Sequence, residues 1–554
     1  MPPNITLADA LEKAKRLSEN DVLRTAELPR NVREFLLARN WLHEIMKGYA
    51  VLSKPDARAN ETTLWQANYW NFLAVYLKDR FGHNYVLNAE NSLDLLTGNN
   101  ILPRQVIVYT TTGGQGATKL PHGFSVFSSR ITTERWPDEI TQENGLFAIP
   151  LEAALVRVSP TFFEKSQESA NVALHVADIS KLARAIVSED RQKMRAASRI
   201  SNGLCSVGRV DDANTFSRLL QVSGFPQLAE YETEHDSKNP LAASVRIKSP
   251  YIARIREMWK SMRATILNEF PPPSRKNEGT EQVVAQIEDV YVHDAYHSLS
   301  IEGYRVSEEL IAKIARGDWD SDSATDKEQF AAMAAKGYYD AFQCVLSDVR
   351  SCLDGGNPVK IADRQMHTWF ASLFSPSVHA GLLNNSDLFG FRNHPVYIRD
   401  SQHTPPPSYA LPDAMGSLFE CLDEEAEPSV RALFGHYAFT YIHPYPDGNG
   451  RIGRFLMNMM LVSGGYPWTI IQSDRENRHS YLDALECASV ARDFTPFVKF
   501  VRSQMEFDWS SKATGESRAP TITHYTTLLS GDKLPQAASN PENFGGQSTP
   551  KPNS

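Results

Sequence analysis

Cysteine is scarce in this chain: five occur in 554 residues, at Cys205, Cys344, Cys352, Cys421 and Cys487, odd in number and with no CxxC pair. That pattern excludes a disulfide framework and a structural zinc site, and it leads us to expect a cytoplasmic protein in a reducing compartment. Long apolar runs are lacking as well. The densest, Phe455 to Val462, is broken by Asn458 and falls far short of the roughly 18 residues that span a bilayer, so no membrane partner is expected. The first dozen residues carry Asp9 and Glu12 where an export signal needs a basic region before an apolar core, so export is not expected either. Basic excess is also absent: 57 Lys and Arg stand against 66 Asp and Glu, a net charge of −9. A chain so charged does not coat nucleic acid along its whole length, although a local basic face stays open. Finally, the glycine-rich Thr110–Gly116 lacks the GK[ST] ending and following helix of a P-loop, and no internal repeat is present.

What is present is ordinary globular material, 42% hydrophobic and 10% aromatic, enough for three or four domains. Residues 1–55 show helical periodicity over 6–18 and 24–38, with Pro29 placed to open a helix whose Leu36 and Leu37 point inward. Trp41 to Leu52 then reads as two strands turning at Lys47-Gly48, giving the helix-turn-helix and wing layout of a major-groove reader. Arg24, Arg30, Arg33, Arg39 and Lys47 line that helix and wing, and the segment holds nine Lys/Arg against seven Asp/Glu. They are candidate contacts to duplex DNA, or else a solvated helix face. Leu42–Leu52 with Thr25–Leu28 resembles the N-terminal domain of abortive-infection type IV antitoxins, which are winged-helix proteins.

Residues 56–185 join a helical block, Leu64–Phe81, to β-rich pieces at Val106–Tyr109 and Phe124–Phe127. The stripe of Trp65, Tyr69, Phe72 and Tyr76 reads as core, and the segment as an antitoxin-like α+β module for binding or for dimerisation, a homodimer being one expected assembly. Residues 186–280 read as a helical linker region ending in the breaker Pro271–Gly279. A catalytic domain is expected over 281–505, and a disordered tail, poor in large apolar residues, over 506–554.

The chemistry concentrates at 443–454. An apolar helix over 429–440, with Ser429 as its expected N-cap, runs into His443-Pro-Tyr-Pro-Asp-Gly-Asn-Gly450, where two prolines and two glycines forbid continuation, and a second helix resumes at Arg451. A tight loop at a helix N-terminus offers unpaired N–H groups and the positive end of the dipole, an anion site. Gly448 and Gly450 let a phosphate approach the backbone, while Arg451 and Arg454 add two permanent cations. Asp447 is a hard oxygen ligand suited to Mg2+ shared with substrate phosphates, and His443 suits proton abstraction from a hydroxyl. Together these are the parts of phosphoryl or nucleotidyl transfer.

The run His443–Arg454 resembles the Fic-domain signature, H-P-[FY]-x-[DE]-G-N-G-R-x-x-R. That resemblance implies a mostly α-helical domain that moves AMP from ATP to a Ser, Thr or Tyr hydroxyl of a protein. It implies His443 as general base, Asp447 as Mg2+ ligand, Gly448, Asn449 and Gly450 as the phosphate cradle, Arg451 on the α or β phosphate and Arg454 on the γ phosphate. Gly390–Arg399 resembles the Fic flap, a hairpin that holds the target by strand addition, with Arg392, Val396, Tyr397 and Ile398 as target-binding residues. Ser298-Leu-Ser-Ile-Glu302-Gly303 resembles the family's inhibitory motif, and Ser298 and Glu302 share a helix face. By that likeness Glu302 pairs with Arg454 and blocks the γ phosphate, or positions a water to remove AMP.

The expected fold class is therefore mostly α and multidomain: an all-α Fic catalytic domain with a β-hairpin flap, preceded by a winged-helix plus α+β N-terminal half. The expected function is an autoinhibited AMP transferase. The alternative is a DNA-binding regulator, or antitoxin-like protein, whose Fic domain senses nucleotide or modifies itself.

Overall fold

The computed structural model describes residues 6–53, 61–189, 194–228, 247–274, 278–318, 326–398 and 401–507. The expected disordered tail and Arg399 lie outside the described residues. Twenty-one α-helices and nine short strands occur among them, so helix dominates.

The chain opens with a helix, Leu7–Leu17, whose N-terminus is capped by the Thr6 hydroxyl accepting from Asp9 N. A strand, Val22–Arg24, follows, taking Arg24 out of the expected helix 24–38, which begins only at Arg30 and runs to Leu37. The first helix ends at Leu17 with Ser18 extended, and Asn20 and Asp21, both at positive φ, turn the chain into the strand. Pro29 lends its fixed φ to the start of the second helix, whose inward residues are Val32 and Leu36, with Leu37 only partly covered. Strands Leu42–Met46 and Tyr49–Leu52 turn at Gly48, φ +93°, and the three strands pair antiparallel with Tyr49–Leu52 in the centre. Ala10, Ala14, Leu23, Leu28, Leu36 and Leu42 fill this small core.

Helix Glu61–Phe81 presents Trp65, Tyr69, Phe72 and Tyr76 to a four-stranded sheet, and all four rings are buried as expected. In that sheet Gln105–Thr110 runs parallel to Ser125–Arg130, with Val86–Leu87 and Gly116–Lys119 at the edges. Short helices from Leu151 to Val222 build a second core around Leu155, Leu174, Ile186, Ile200 and Phe216.

Helix Pro250–Glu269 packs between that core and the C-terminal helices, touching Gln167–Val176 on one side and Leu411–Glu424 with Pro428–Ile442 on the other. The C-terminal half is all helical. Its longest pair, Asp326–Leu353 and Pro358–His379, crosses so closely that a Cβ at Gly337 would collide with the Leu373 carbonyl. At the centre stands a helical hairpin, Pro428–Ile442 and Asn449–Ser463, whose connecting loop is 443–448. The first of these helices begins at Pro428 rather than being capped by Ser429, because proline at the first turn has no N–H to leave unpaired. Ser429 is buried instead.

Candidate active site

Helix Pro428–Ile442 is apolar on nearly every face and buried throughout, which fixes its C-terminus in the middle of the molecule. His443 ends it in the left-handed region, φ 53° and ψ 58°, so the ring turns back toward the last helical turn. His443 Nδ1 lies 3.2 Å from the Thr440 carbonyl oxygen. A carbonyl only accepts, so the proton sits on Nδ1 and Nε2 carries the free lone pair. Burial, partly countered by that backbone bond, lowers the His443 pKa to about 4, leaving the ring neutral at neutral pH.

The loop after it is held by its own side chains. Asn449 Oδ1 accepts from Tyr445 N at 2.9 Å while Asn449 Nδ2 donates to Tyr445 O at 2.8 Å, a two-bond staple across the turn. The Asn449 amide, expected in the phosphate cradle, is thus spent on the loop. Tyr445 stacks face to face on Phe370 at 4.1 Å and bonds His367 through its hydroxyl at 2.9 Å. Gly448 adopts φ +78° at the N-terminus of helix Asn449–Ser463, and a Cβ there would stand 3.0 Å from Phe374. Asp447 points outward, one oxygen accepting from Gly448 N at 2.6 Å, the other 3.6 Å from Arg451 Nη2.

Arg451 is 1% exposed and lies between the rings of Tyr304 and Phe374, 5.2 and 5.1 Å from their centroids. Its Nε and Nη2 are buried without a hydrogen-bond partner among the described residues, a cost that an anion at this point would remove. Arg454, equally buried, is fully engaged: Nε donates to Ser298 Oγ at 2.9 Å, and Nη2 to Ser298 O at 3.1 Å and to Glu302 Oε1 at 2.8 Å. Helix Tyr291–Ile301 delivers Ser298 and Glu302 together, with Glu302 as its C-cap and Gly303, φ +87°, turning the chain away. The Glu302 carboxylate stands over Gly450, where an added Cβ would collide with it. Burial pushes that carboxyl's pKa up, but the Arg454 and Arg451 guanidinium groups outweigh it and the net shift is downward. Glu302 is a carboxylate, and it stands at the N-terminus of helix Asn449–Ser463.

The sequence pattern of the Fic/DOC family matches residues 372–461. This segment is a Fic domain. Curated relatives include a protein adenylyltransferase Fic of Aedes aegypti, 34% identical over 165 residues, covering 29% of this chain and 31% of that protein. Another, from Culex quinquefasciatus, is 35% identical over 150 residues, 26% of this chain and 28% of that one. The chain thus spans under a third of the length of these curated relatives. Among solved structures, Fic-1 (residues 134–508) of C. elegans aligns over 62% of this chain and 94% of its own with 16% identity and a TM-score of 0.33.

Within the Fic domain, the flap segment departs from expectation. No strand pairing occurs over the described part of it, 390–398: Pro395 lacks a donor, and the segment runs as bends and loop, with Gly390 at φ +75°. Arg392 is turned into the protein. It is 3% exposed, donating from Nε to His443 O at 2.8 Å and from Nη2 to Pro406 O at 2.5 Å and Ile442 O at 3.5 Å. Burial lowers its pKa to about 10. Arg392 therefore caps the C-terminal carbonyls of the helix that carries His443, a role legible only once the two segments are seen to touch. Val396, Tyr397 and Ile398 remain partly exposed beside the loop.

The five candidate DNA contacts differ in their surroundings. Arg24 lies on a strand and pairs with Glu27 and Asp79; Arg30 pairs with Glu34 at 2.7 Å. Arg39 stacks 3.7 Å over Phe35, Arg33 reaches the Thr25 carbonyl at 3.5 Å, and Lys47 is exposed at the turn.

Proposed function

We propose that this chain is a protein adenylyltransferase restrained by its own Glu302. The observation that carries the reading is the Glu302 carboxylate bonded to Arg454 over Gly450, beside an Arg451 with unmatched donors. A carboxylate there mimics, and competes with, a nucleotide phosphate.

With the carboxylate withdrawn, the helix N-terminus, Arg451 and the edge of Arg454 that faced Glu302 are open to ATP phosphates, while Ser298 still orients Arg454, and the stapled loop holds the α phosphate near His443. Nε2 of the neutral imidazole accepts the proton of a target Ser, Thr or Tyr hydroxyl. The hydroxyl oxygen forms a bond to the α phosphorus, the bond to the bridging oxygen breaks, and pyrophosphate leaves carrying the electron pair. Asp447 would hold Mg2+. Its single outward carboxylate fits an ion that takes most of its ligands from water and phosphates, and no cluster of three or more metal-ligating side chains occurs among the described residues. Such an ion supplies neutralisation of the phosphate charge.

The direct test is self-labelling by α-labelled ATP with Mg2+, comparing the native chain, Glu302→Gly, and Glu302→Gly with His443→Ala. Strong label in the single variant alone supports transfer, brake and base together; no label in any folded variant refutes the reading. A second reading, AMP removal, is favoured by the ionised Glu302 at the cradle, since a carboxylate there also orients a water. It requires that Glu302→Gly lose release of AMP from a labelled protein. The regulator alternative draws less support, because Arg24 and Arg30 are matched by carboxylates. Binding of duplex DNA that weakens on Arg33 substitution would restore it.

A further inference from the structure

Asn100 lies in the N-terminal half, outside the Fic segment, yet its buried side chain sits between His403 and the 489–492 turn. Its backbone is tied in as well: Thr404 N donates to Asn100 O at 2.9 Å, and Ile101 bridges His403 in strand fashion. The direction of each bond follows from the chemistry of its partner. Arg492 only donates, so Asn100 Oδ1 faces it. Asn100 Nδ2 then donates to Ser489 O at 3.1 Å and to His403 Nδ1 at 2.9 Å. With Nδ1 accepting, the His403 proton must sit on Nε2, from which it donates to Tyr441 O at 2.7 Å. Burial, set against that backbone bond, lowers the His403 pKa to about 3, so the ring carries one proton and has no second to give.

Tyr441 O is one of the carbonyls that the end of helix Pro428–Ile442 leaves without an internal partner. Thr440 O takes the His443 Nδ1 proton, Tyr441 O takes His403, and Ile442 O and His443 O take Arg392. The far end of the chain is anchored too, since Glu168 pairs with both Arg492 and Arg254.

We infer that Asn100 is a positioning residue of the active site: by bonding His403 Nδ1 it holds the ring whose Nε2–H fixes the last turn of the helix that aims His443, so the N-terminal half completes the catalytic apparatus. The inference rests on the transfer reaction proposed above, since the aim of His443 is what Asn100 serves. It makes the α+β module of the N-terminal half part of the enzyme and not only a neighbour of it.

The experiment uses the full chain with Glu302→Gly as the active parent and adds Asn100→Ala, His403→Asn or His403→Gln. Glutamine keeps a donor near the Nε2 position; asparagine does not. Asn100→Ala and His403→Asn are expected to lower kcat roughly tenfold or more with KM for ATP within about twofold, and His403→Gln to retain most of the rate. An unchanged kcat in Asn100→Ala, or His403→Gln as poor as His403→Asn, overturns the inference. A parent that transfers nothing is a failure of the transfer reading, and then the imidazole nitrogen resonances of the full chain decide. Native protein should show His403 as the Nε2–H tautomer with an Nδ1 resonance shifted by the bond it accepts, and Asn100→Ala should move that Nδ1 resonance to the value of an unbonded nitrogen. A native His403 protonated on Nδ1, or an Nδ1 resonance indifferent to Asn100, refutes the relay whatever the activity.

Discussion

Replacing Glu302 by glycine isolates the contact on which the proposed restraint turns. The Glu302–Arg454 bond is a charge-assisted one at 2.8 Å, with Arg454 buried and the Glu302 side chain 27% exposed. Bonds of this type are worth about 1.5–3 kcal/mol. ATP in its productive pose must displace the carboxylate, so the native chain should bind it more weakly by that amount, roughly 10- to 150-fold. Glu302→Gly should recover this factor in the dissociation constant for Mg2+-ATP, read by calorimetry, and a comparable factor in the initial rate of labelling. Arg454 keeps its two bonds to Ser298, so the unliganded variant should lose only about 1–3 kcal/mol of stability. Saturating ATP at about 100 times its dissociation constant should return about 2.7 kcal/mol. An affinity for ATP within about threefold of native, together with unchanged labelling, would show that the carboxylate does not compete with phosphate and would refute the reasoning.

Asp447→Ala should abolish labelling while leaving thermal unfolding nearly unchanged, since its side chain is 63% exposed; retained label with Mg2+ would remove Asp447 from the site. Asn449→Ala, which deletes both bonds of the loop staple, should cost about 1–3 kcal/mol in chemical denaturation and slow transfer more than it weakens ATP binding. Stability should fall on acidification because His403 and His436 are held neutral, with pKa values lowered by burial to about 3. The unfolded chain takes up these protons below about pH 6.5 and the folded chain does not. The stability is therefore whole above that pH and is lost through the window from about 6.5 to 3, each group costing about 2 kcal/mol by pH 5. Denaturant midpoints at pH 7 and pH 5 check this, and His403→Gln should remove about half of the difference, the His436 share remaining; equal midpoints in the native chain would contradict it.

Much of the site was legible in one stretch of chain because its chemistry is local. His443, Asp447, Gly448, Gly450, Arg451 and Arg454 lie within a helix end, a loop and a helix start, and such a segment meets itself whatever surrounds it. The aromatic face of helix Glu61–Phe81 was legible for a similar reason, periodicity alone saying which side is buried. The Ser298–Glu302 pair was legible as a motif, though its partner Arg454 lies far along the chain.

What sequence could not decide was which distant groups would meet. The loop at 390–398 looked like a free hairpin, but the helix end at 440–443 leaves carbonyls that must be satisfied in a buried place, and Arg392 and His403 are drawn in to do it. Arg24 looked like part of a basic helix, but pairing with Tyr49 draws it into a strand and Asp79, from another element, takes its charge. Asn100 carries no local signal at all, because its role consists of one amide turned between Arg492 and His403. Local backbone preference and spacing therefore determined the loop, the helix start and the candidate residues they carry. Only tertiary packing decided how they are aimed and restrained, because a buried donor or acceptor takes whichever partner the fold brings within about 3 Å.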